Sequence, residues 1–226
     1  MSAPGGGAAR AGATTSAAAR IVALADIAPR PWRNGAGRTC ELLAWPDASA
    51  WQVRVSVAEI DRAAPFSSFP GVERWFAVVD GAGVELRIEG TSHRLVPGHA
   101  PLRFDGEASV EGRPIVGPTR DLNLMLRDSR GEMFAVADRA IWRPEAAACG
   151  LFTAVAGRWS AVDDGGRLTA GDDLPALTLL WLDRAPSGLR FDVASGRDGD
   201  AVPRTRSASG PIGWWLGTTP SKEATR

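Results

Sequence analysis

The chain has no tyrosine, one lysine (Lys222), two histidines and two cysteines among its 226 residues. Each scarcity closes off some chemistry. Two cysteines, Cys40 and Cys149, allow one bridge at most, so a disulfide framework is excluded and two reduced thiols of a cytoplasmic protein are expected. No histidine lies near Cys40 in sequence to activate it as a nucleophile. Charge of either sign is not in surplus: 26 Lys+Arg balance 26 Asp+Glu, which argues against a partner bound through the nucleic-acid backbone. No run of about 18 apolar residues occurs, so a membrane-spanning helix is not expected. Ser56, Ser67 and Ser68 have no histidine or lysine within their motifs, and no G-x-S-x-G elbow occurs. The glycines of PWRNGAG (31–37) do not complete a dinucleotide-binding G-x-G-x-x-G. Residues 1–20 hold no acid and no large apolar side chain, which predicts a disordered tail without the apolar segment of a secretory signal.

What is present is strand after strand. WQVRVSV (51–57) alternates fully, with Trp51, Val53, Val55 and Val57 on one face and Gln52, Arg54 and Ser56 on the other. Similar short runs recur at 74–80, 83–89, 100–104, 122–126, 133–138, 151–157, 177–182 and 189–193, separated by Gly or Pro. No window of a dozen residues carries a 3.6-residue period, so the pattern predicts an all-β sandwich or barrel with few helices. A weak repeat relates 78–104 to 154–179: each has an apolar strand ending in Gly (Gly81, Gly157), a hairpin, a Leu-x-x-Gly step and another apolar strand. The expected organisation is a first barrel over 21–145, a second and smaller β unit over 146–195, and a loosely ordered segment over 196–226, of which only PIGWWLG (211–217) can dock.

PWRNGAGRT (31–39), WQVRVSVAEI (51–60), PFSSFPGVER (65–74), DGAGVEL (80–86) and DLNLM (121–125) together resemble the HutD family, with its relative Ves. Two departures are Arg33 and Ala36, where that family's loop has lysine and glycine. The resemblance implies two tandem cupin-like β-barrels, a bicupin, with the pocket in the first barrel, no cofactor, a cytoplasmic location, and a role in sensing or limiting histidine utilisation through a ligand such as formiminoglutamate. It also leaves room for a homodimer. A metal-binding cupin needs about three histidines and a carboxylate. Here FSSFPGV (66–72) stands where the first histidines would be, and His93 and His99 sit in turn regions, so a metal-free barrel is expected.

Site candidates follow from side-chain chemistry. Trp32 offers a flat wall and one N–H donor, and Asn34 a paired donor and acceptor, although N-G is also a common turn pair. Gln52, Arg54 and Ser56 share a face that is solvent in a sandwich and lumen in a small barrel. A guanidinium there suits a carboxylate, and its neutralising partner would be Glu73, Asp121 or an acidic ligand. Asp121 and Asn123 share a face of DLNLML with Met125. Phe66, Ser67 and Phe69 form an apolar lid with Arg74 following, or else the phenylalanines are core plugs and Arg74 a surface ion-pair partner. The favoured reading is a binder of a small acidic molecule. The alternative is a metal-free isomerase, lyase or hydrolase with Asp121 or Glu73 as base. A third reading is a scaffold whose sheet edge or WWL patch takes a protein partner.

Overall fold

Two open-ended barrels stacked through one shared apolar layer account for every strand. The computed structural model describes residues 19–169, 171–194 and 210–220. All regular elements in those residues are strands, apart from one 3-10 turn, Leu24–Asp26. The expected all-β fold with few helices is therefore found.

The first barrel pairs a six-stranded sheet with a four-stranded one. The larger runs, in spatial order, Arg30–Pro31, Gly37–Trp45, Val53–Ile60, Thr119–Arg127, Val72–Asp80, Leu102–Asp105; the smaller runs Ala64–Pro65, Val110–Pro114, Val84–Ile88, Thr91–Leu95. The second barrel repeats this plan. Ser129–Ala135, Gly213–Pro220, Ala148–Thr153 and Thr178–Leu182 neighbour one another in the same order as Val53–Ile60, Thr119–Arg127, Val72–Asp80 and Leu102–Asp105. Ile141–Trp142, Gly188–Val193, Gly157–Val162 and Asp173–Leu174 reproduce the smaller sheet. The sequence repeat thus reflects two copies of one eight-stranded unit.

Period-2 alternation explains where each face goes. Val53, Val55 and Val57, with Leu122, Leu124 and Leu126, turn away from the first barrel and meet Phe152, Leu179, Trp181, Trp214 and Leu216 of the second. This layer between the barrels is the largest apolar cluster. The interior of the second barrel is filled by Cys149, Leu151, Trp159, Leu180, Leu189, Phe191 and Trp215. Burial there pushes the Cys149 thiol up to about 12, so it is a packing group rather than a nucleophile. In the first barrel the apolar filling reaches only part of the way: Ile60, Phe76, Val78, Val84, Leu86 and Phe104 close one end. The other end is polar and hollow.

Three boundaries differ from the sequence expectation. Gly213–Pro220, expected within a loose end, is a central strand, paired on one side with Ala148–Thr153 and on the other with Ser129–Ala135. Its Trp214, Trp215 and Leu216 are at most 2% exposed, so the WWL segment is core and offers no patch to a protein partner. Ser129–Ala135 and Ile141–Trp142, expected in the first barrel, belong to the sheets of the second. Ala19–Ala23 pairs with Thr178–Leu182 and so also joins the second barrel, where it covers an otherwise open sheet edge. Residues 1–18 of the expected tail, and 196–209 and 221–226 of the expected C-terminal segment, lie outside the described residues. Among the described residues no helix is long and apolar enough to cross a membrane.

Candidate functional site

A cavity of about 660 Å³ occupies the polar end of the first barrel, a volume within the range of small-molecule sites. Its wall is the inward face of the six-stranded sheet, and strand register arranges the polar groups in adjacent rows. Glu41, Ser56, Asn123 and Phe76 lie side by side across four strands. The next row places Arg54, Met125 and Arg74 together, and the row on the other side places Thr39, Ala58, Asp121 and Val78 together. Phe66, Ser67 and Phe69 close the opposite side. Gly112 makes room for Phe66: a Cβ there would stand 2.7 Å from the Phe66 ring.

Most of the residues singled out from sequence converge. Trp32, Asn34, Arg54, Ser56, Phe66, Ser67, Phe69, Arg74, Asp121 and Asn123 all line the cavity. Gln52 does not. It precedes the strand, with its backbone paired to Trp45 and Arg127, and it lies one step beyond the hollow. The opening loop also behaves more modestly than its composition suggests. Trp32 Nε1 donates to Thr39 Oγ1 at 2.8 Å, and its ring meets Phe66 edge-on at 6.1 Å. Asn34 Oδ1 accepts from the Ala36 amide at 3.0 Å, capping the turn that Gly35 (φ 64°) completes. The loop is a rim whose polar atoms are largely spent on holding its own shape.

Two arginines define the electrostatics. Arg54 is paired with Glu41, Nε to Oε2 at 2.6 Å, and each side chain is about a quarter exposed. Neither Glu73 nor Asp121 takes this role. Glu73 faces away from the cavity, where it accepts from Trp75 Nε1 at 2.9 Å and pairs with Arg103 at 3.3 Å. That removes Glu73 as a base acting on anything bound in the barrel.

Arg74 is not a surface residue. It is 7% exposed, and its guanidinium carbon lies 5.1–5.8 Å from the ring centres of Phe66, Phe69 and Phe104. The rings cover the guanidinium while one edge donates from Nη2 to Asn123 Oδ1 at 3.1 Å. Asn123 Nδ2 in turn donates to Asp121 Oδ1 at 2.6 Å. This chain leaves Arg74 Nε and Asp121 Oδ2 buried without a protein partner. Buried polar atoms in native folds are nearly always satisfied, so these two, on residues that line the cavity, are exceptional.

Burial sets the protonation of both groups. Desolvation holds the Arg74 guanidinium down to about 10, against the pull of Asp121, and it remains charged at neutral pH. Desolvation pushes Asp121 up to about 8, against the opposing effects of the Asn123 hydrogen bond and the Arg74 charge. Between the usual carboxylate value near 4 and about 8, folded Asp121 keeps a proton that the unfolded chain has released. Its contribution to stability is therefore complete below about pH 4 and is lost as pH rises toward 8. Thermal melts from pH 5 to pH 8.5 are expected to show wild type losing up to a few kcal/mol relative to Asp121→Asn, with the variant the more stable at the alkaline end. Parallel curves would contradict this.

The hollow does not suit a metal ion. Four arginines (Arg30, Arg33, Arg54, Arg74) line it against two carboxylates, and both carboxylates already hold protein partners. Among the described residues no three His, Cys, Asp or Glu side chains gather. His93 lies within the strand Thr91–Leu95 and His99 in a turn closed by its amide to Val96, and neither lines the cavity. Sequence reading missed Glu41, whose alternation with Thr39 is broken after position 41 by a bulge in the pairing with Val53–Ile60. It also left out Arg30 and Arg33, whereas Met125, expected on one face with Asp121 and Asn123, lines the cavity.

Residues 24–199 match the HutD family model. Protein Ves of Citrobacter koseri is 33% identical over 144 residues, covering 61% of this chain and 75% of that protein. An uncharacterized 21.2 kDa protein from the hutC 3' region of Pseudomonas putida is 30% identical over 115 residues, covering 49% and 60%. Among solved structures, HutD from Pseudomonas fluorescens SBW25 superposes with a TM-score of 0.71 at 23% identity, covering 89% of this chain and 98% of that one. Bacillus subtilis oxalate decarboxylase OxdC shares the fold alone, with a TM-score of 0.58 at 7% identity over 93% and 78% of the chains. With the first barrel, its cavity and about three quarters of the sequence covered by that match, the chain belongs to the HutD family.

Proposed function

We propose that the protein binds a small carboxylate-bearing metabolite in the first barrel and acts, without turnover, as a cytoplasmic regulator of histidine utilisation. The observation that carries this reading is the Arg74–Asn123–Asp121 chain, buried in the cavity wall with one atom at each end unclaimed by the protein. The lining has a formal surplus of positive charge, four arginines against two acids, which favours an anionic guest. The Arg54–Glu41 pair nearer solvent offers a second acid-and-base contact for an amino-acid-like head group. Formiminoglutamate, with two carboxylates and a nitrogenous group, matches this set, and membership of the HutD family makes it the first candidate.

Calorimetric titration with formiminoglutamate, with urocanate and glutamate as comparators, tests the proposal. Saturable heat with formiminoglutamate at micromolar to low millimolar concentration is the expected result. No heat from any of the three, in a sample with a cooperative thermal transition, removes it. Asp121 supports one alternative, a metal-free enzyme, because a carboxyl held near 8 is suited to exchanging a proton at neutral pH. New products on prolonged incubation with the same acids would favour that reading over pure binding.

A further inference from the structure

We propose that Glu41 is a specificity-determining residue: its free carboxylate oxygen accepts an N–H from the guest. The cavity then takes an acid that also carries a nitrogenous donor (a carboxamide, amidine or amine) in preference to one that carries a second carboxylate. The inference rests on the acid-binding reading above and adds the chemistry of the rest of the molecule and the residue that reads it. Glu41 and Asp121 are the two carboxylates of the lining. Asp121 is 1% exposed, whereas the Glu41 side chain is 28% exposed, so Glu41 is the one a guest can touch.

Strand geometry puts it there. The bulge in the pairing with Val53–Ile60 falls between Glu41 and Leu43. It lets Leu42 and Leu43 both pack into the layer between the barrels while Glu41 stays beside Ser56 on the cavity side. Beyond the bulge the residue opposite Arg54 is Ala44, whose methyl cannot neutralise a guanidinium. Glu41 supplies the charge instead, through one oxygen. Its Oε2 accepts from Arg54 Nε at 2.6 Å, and among the described residues no group donates to Oε1. Arg54 likewise engages the protein through Nε alone among the described residues. A two-pronged contact would have occupied both partners; the single-pronged one leaves an acceptor next to donors. A carboxamide fits that pair, giving an N–H to Oε1 and taking a guanidinium N–H on its oxygen. A second carboxylate has no hydrogen to give, so it leaves Oε1 without a partner and adds a like charge beside it. The charge of the whole lining acts in the opposite sense, since four arginines against two acids favour a dianion over a monoanion. A preference for the monoanion can therefore come only from a local contact.

Glutarate and its monoamide, glutaramate, are a matched pair of probes in which an amide NH2 replaces one carboxylate oxygen. Calorimetry at neutral pH is expected to show wild type binding glutaramate at least about tenfold more tightly than glutarate. Glu41→Gln presents a donor as well as an acceptor at that position. It is expected to bind glutarate several-fold better than wild type does, and to prefer glutaramate by no more than about twofold. Glutarate binding to wild type as tightly as glutaramate overturns the inference while leaving an acid-binding cavity in place. So does a wild-type preference that survives intact in Glu41→Gln. Failure of glutaramate, glutarate and formiminoglutamate alike to bind wild type overturns the acid-binding reading and this inference together. Glu41→Ala takes over if the glutamine variant does not fold, with loss of the preference again the expected result. Should neither fold, the wild-type ratio decides alone, and a ratio near one counts against the proposal.

Discussion

Ending the chain after residue 209 is expected to leave a protein with no cooperative unfolding transition. The strand lost, Gly213–Pro220, is hydrogen-bonded on both sides, so its removal strips partners from Ala148–Thr153 and Ser129–Ala135 together. Trp214 and Leu216 belong to the layer between the barrels, and Trp215 to the interior of the second. Each buried tryptophan hides about 150–250 Å², worth about 4–6 kcal/mol at about 25 cal/mol per Å². Two of them with a leucine amount to about 10 kcal/mol or more, comparable to the whole stability of a typical domain, about 5–15 kcal/mol. Circular dichroism and calorimetry of the shortened chain check the outcome. A sharp transition near the wild-type temperature would show that the segment is dispensable, as its glycine- and proline-rich flank suggests.

Replacing Arg74 by methionine is expected to abolish acid binding while leaving stability unchanged or slightly improved. Burial lowers the guanidinium from its ordinary value to about 10, so holding it charged in the fold costs about 3 kcal/mol. Methionine relieves that cost and keeps an apolar stem against Phe66, Phe69 and Phe104. Against this stands the orphaned Asn123 Oδ1, worth about 1–3 kcal/mol. The desolvation relief is the larger effect, or the two cancel. Binding has no such compensation: a lost charge-assisted contact in a desolvated site weakens affinity by about 100-fold or more. Melting temperature and glutarate affinity, measured on one preparation, separate the roles. A variant that melts far below wild type yet still binds the acid would make Arg74 a structural residue.

That pattern, a residue costly to the fold and necessary to the ligand, explains why the site resists reading from sequence. Arg74 follows PFSSFPGVE and looks like an ordinary surface arginine until Leu102–Asp105 brings Phe104 to its side and Thr119–Arg127 brings Asn123 to its edge. Glu41 sits in RTCELL, a stretch whose alternation is interrupted, so nothing local points to Arg54 as its partner. Gln52 fails in the opposite way: its face is the right one, but the strand enters the barrel one residue later.

Local composition and period 2 were enough to determine that the chain is built of short strands, that Val53, Val55 and Val57 turn from Arg54 and Ser56, and that two similar units follow one another. These properties depend on neighbours two residues apart or on self-comparison along the chain, which any reader of the sequence can inspect. Only the tertiary structure decided which face was hollow, that the glycine-flanked WWL stretch is a central strand, and that Asp121 and Arg74 share a buried chain with an unclaimed atom at each end. Those facts depend on register between residues 40 to 91 positions apart, and register is settled by the summed packing of whole sheets rather than by any residue's own preference.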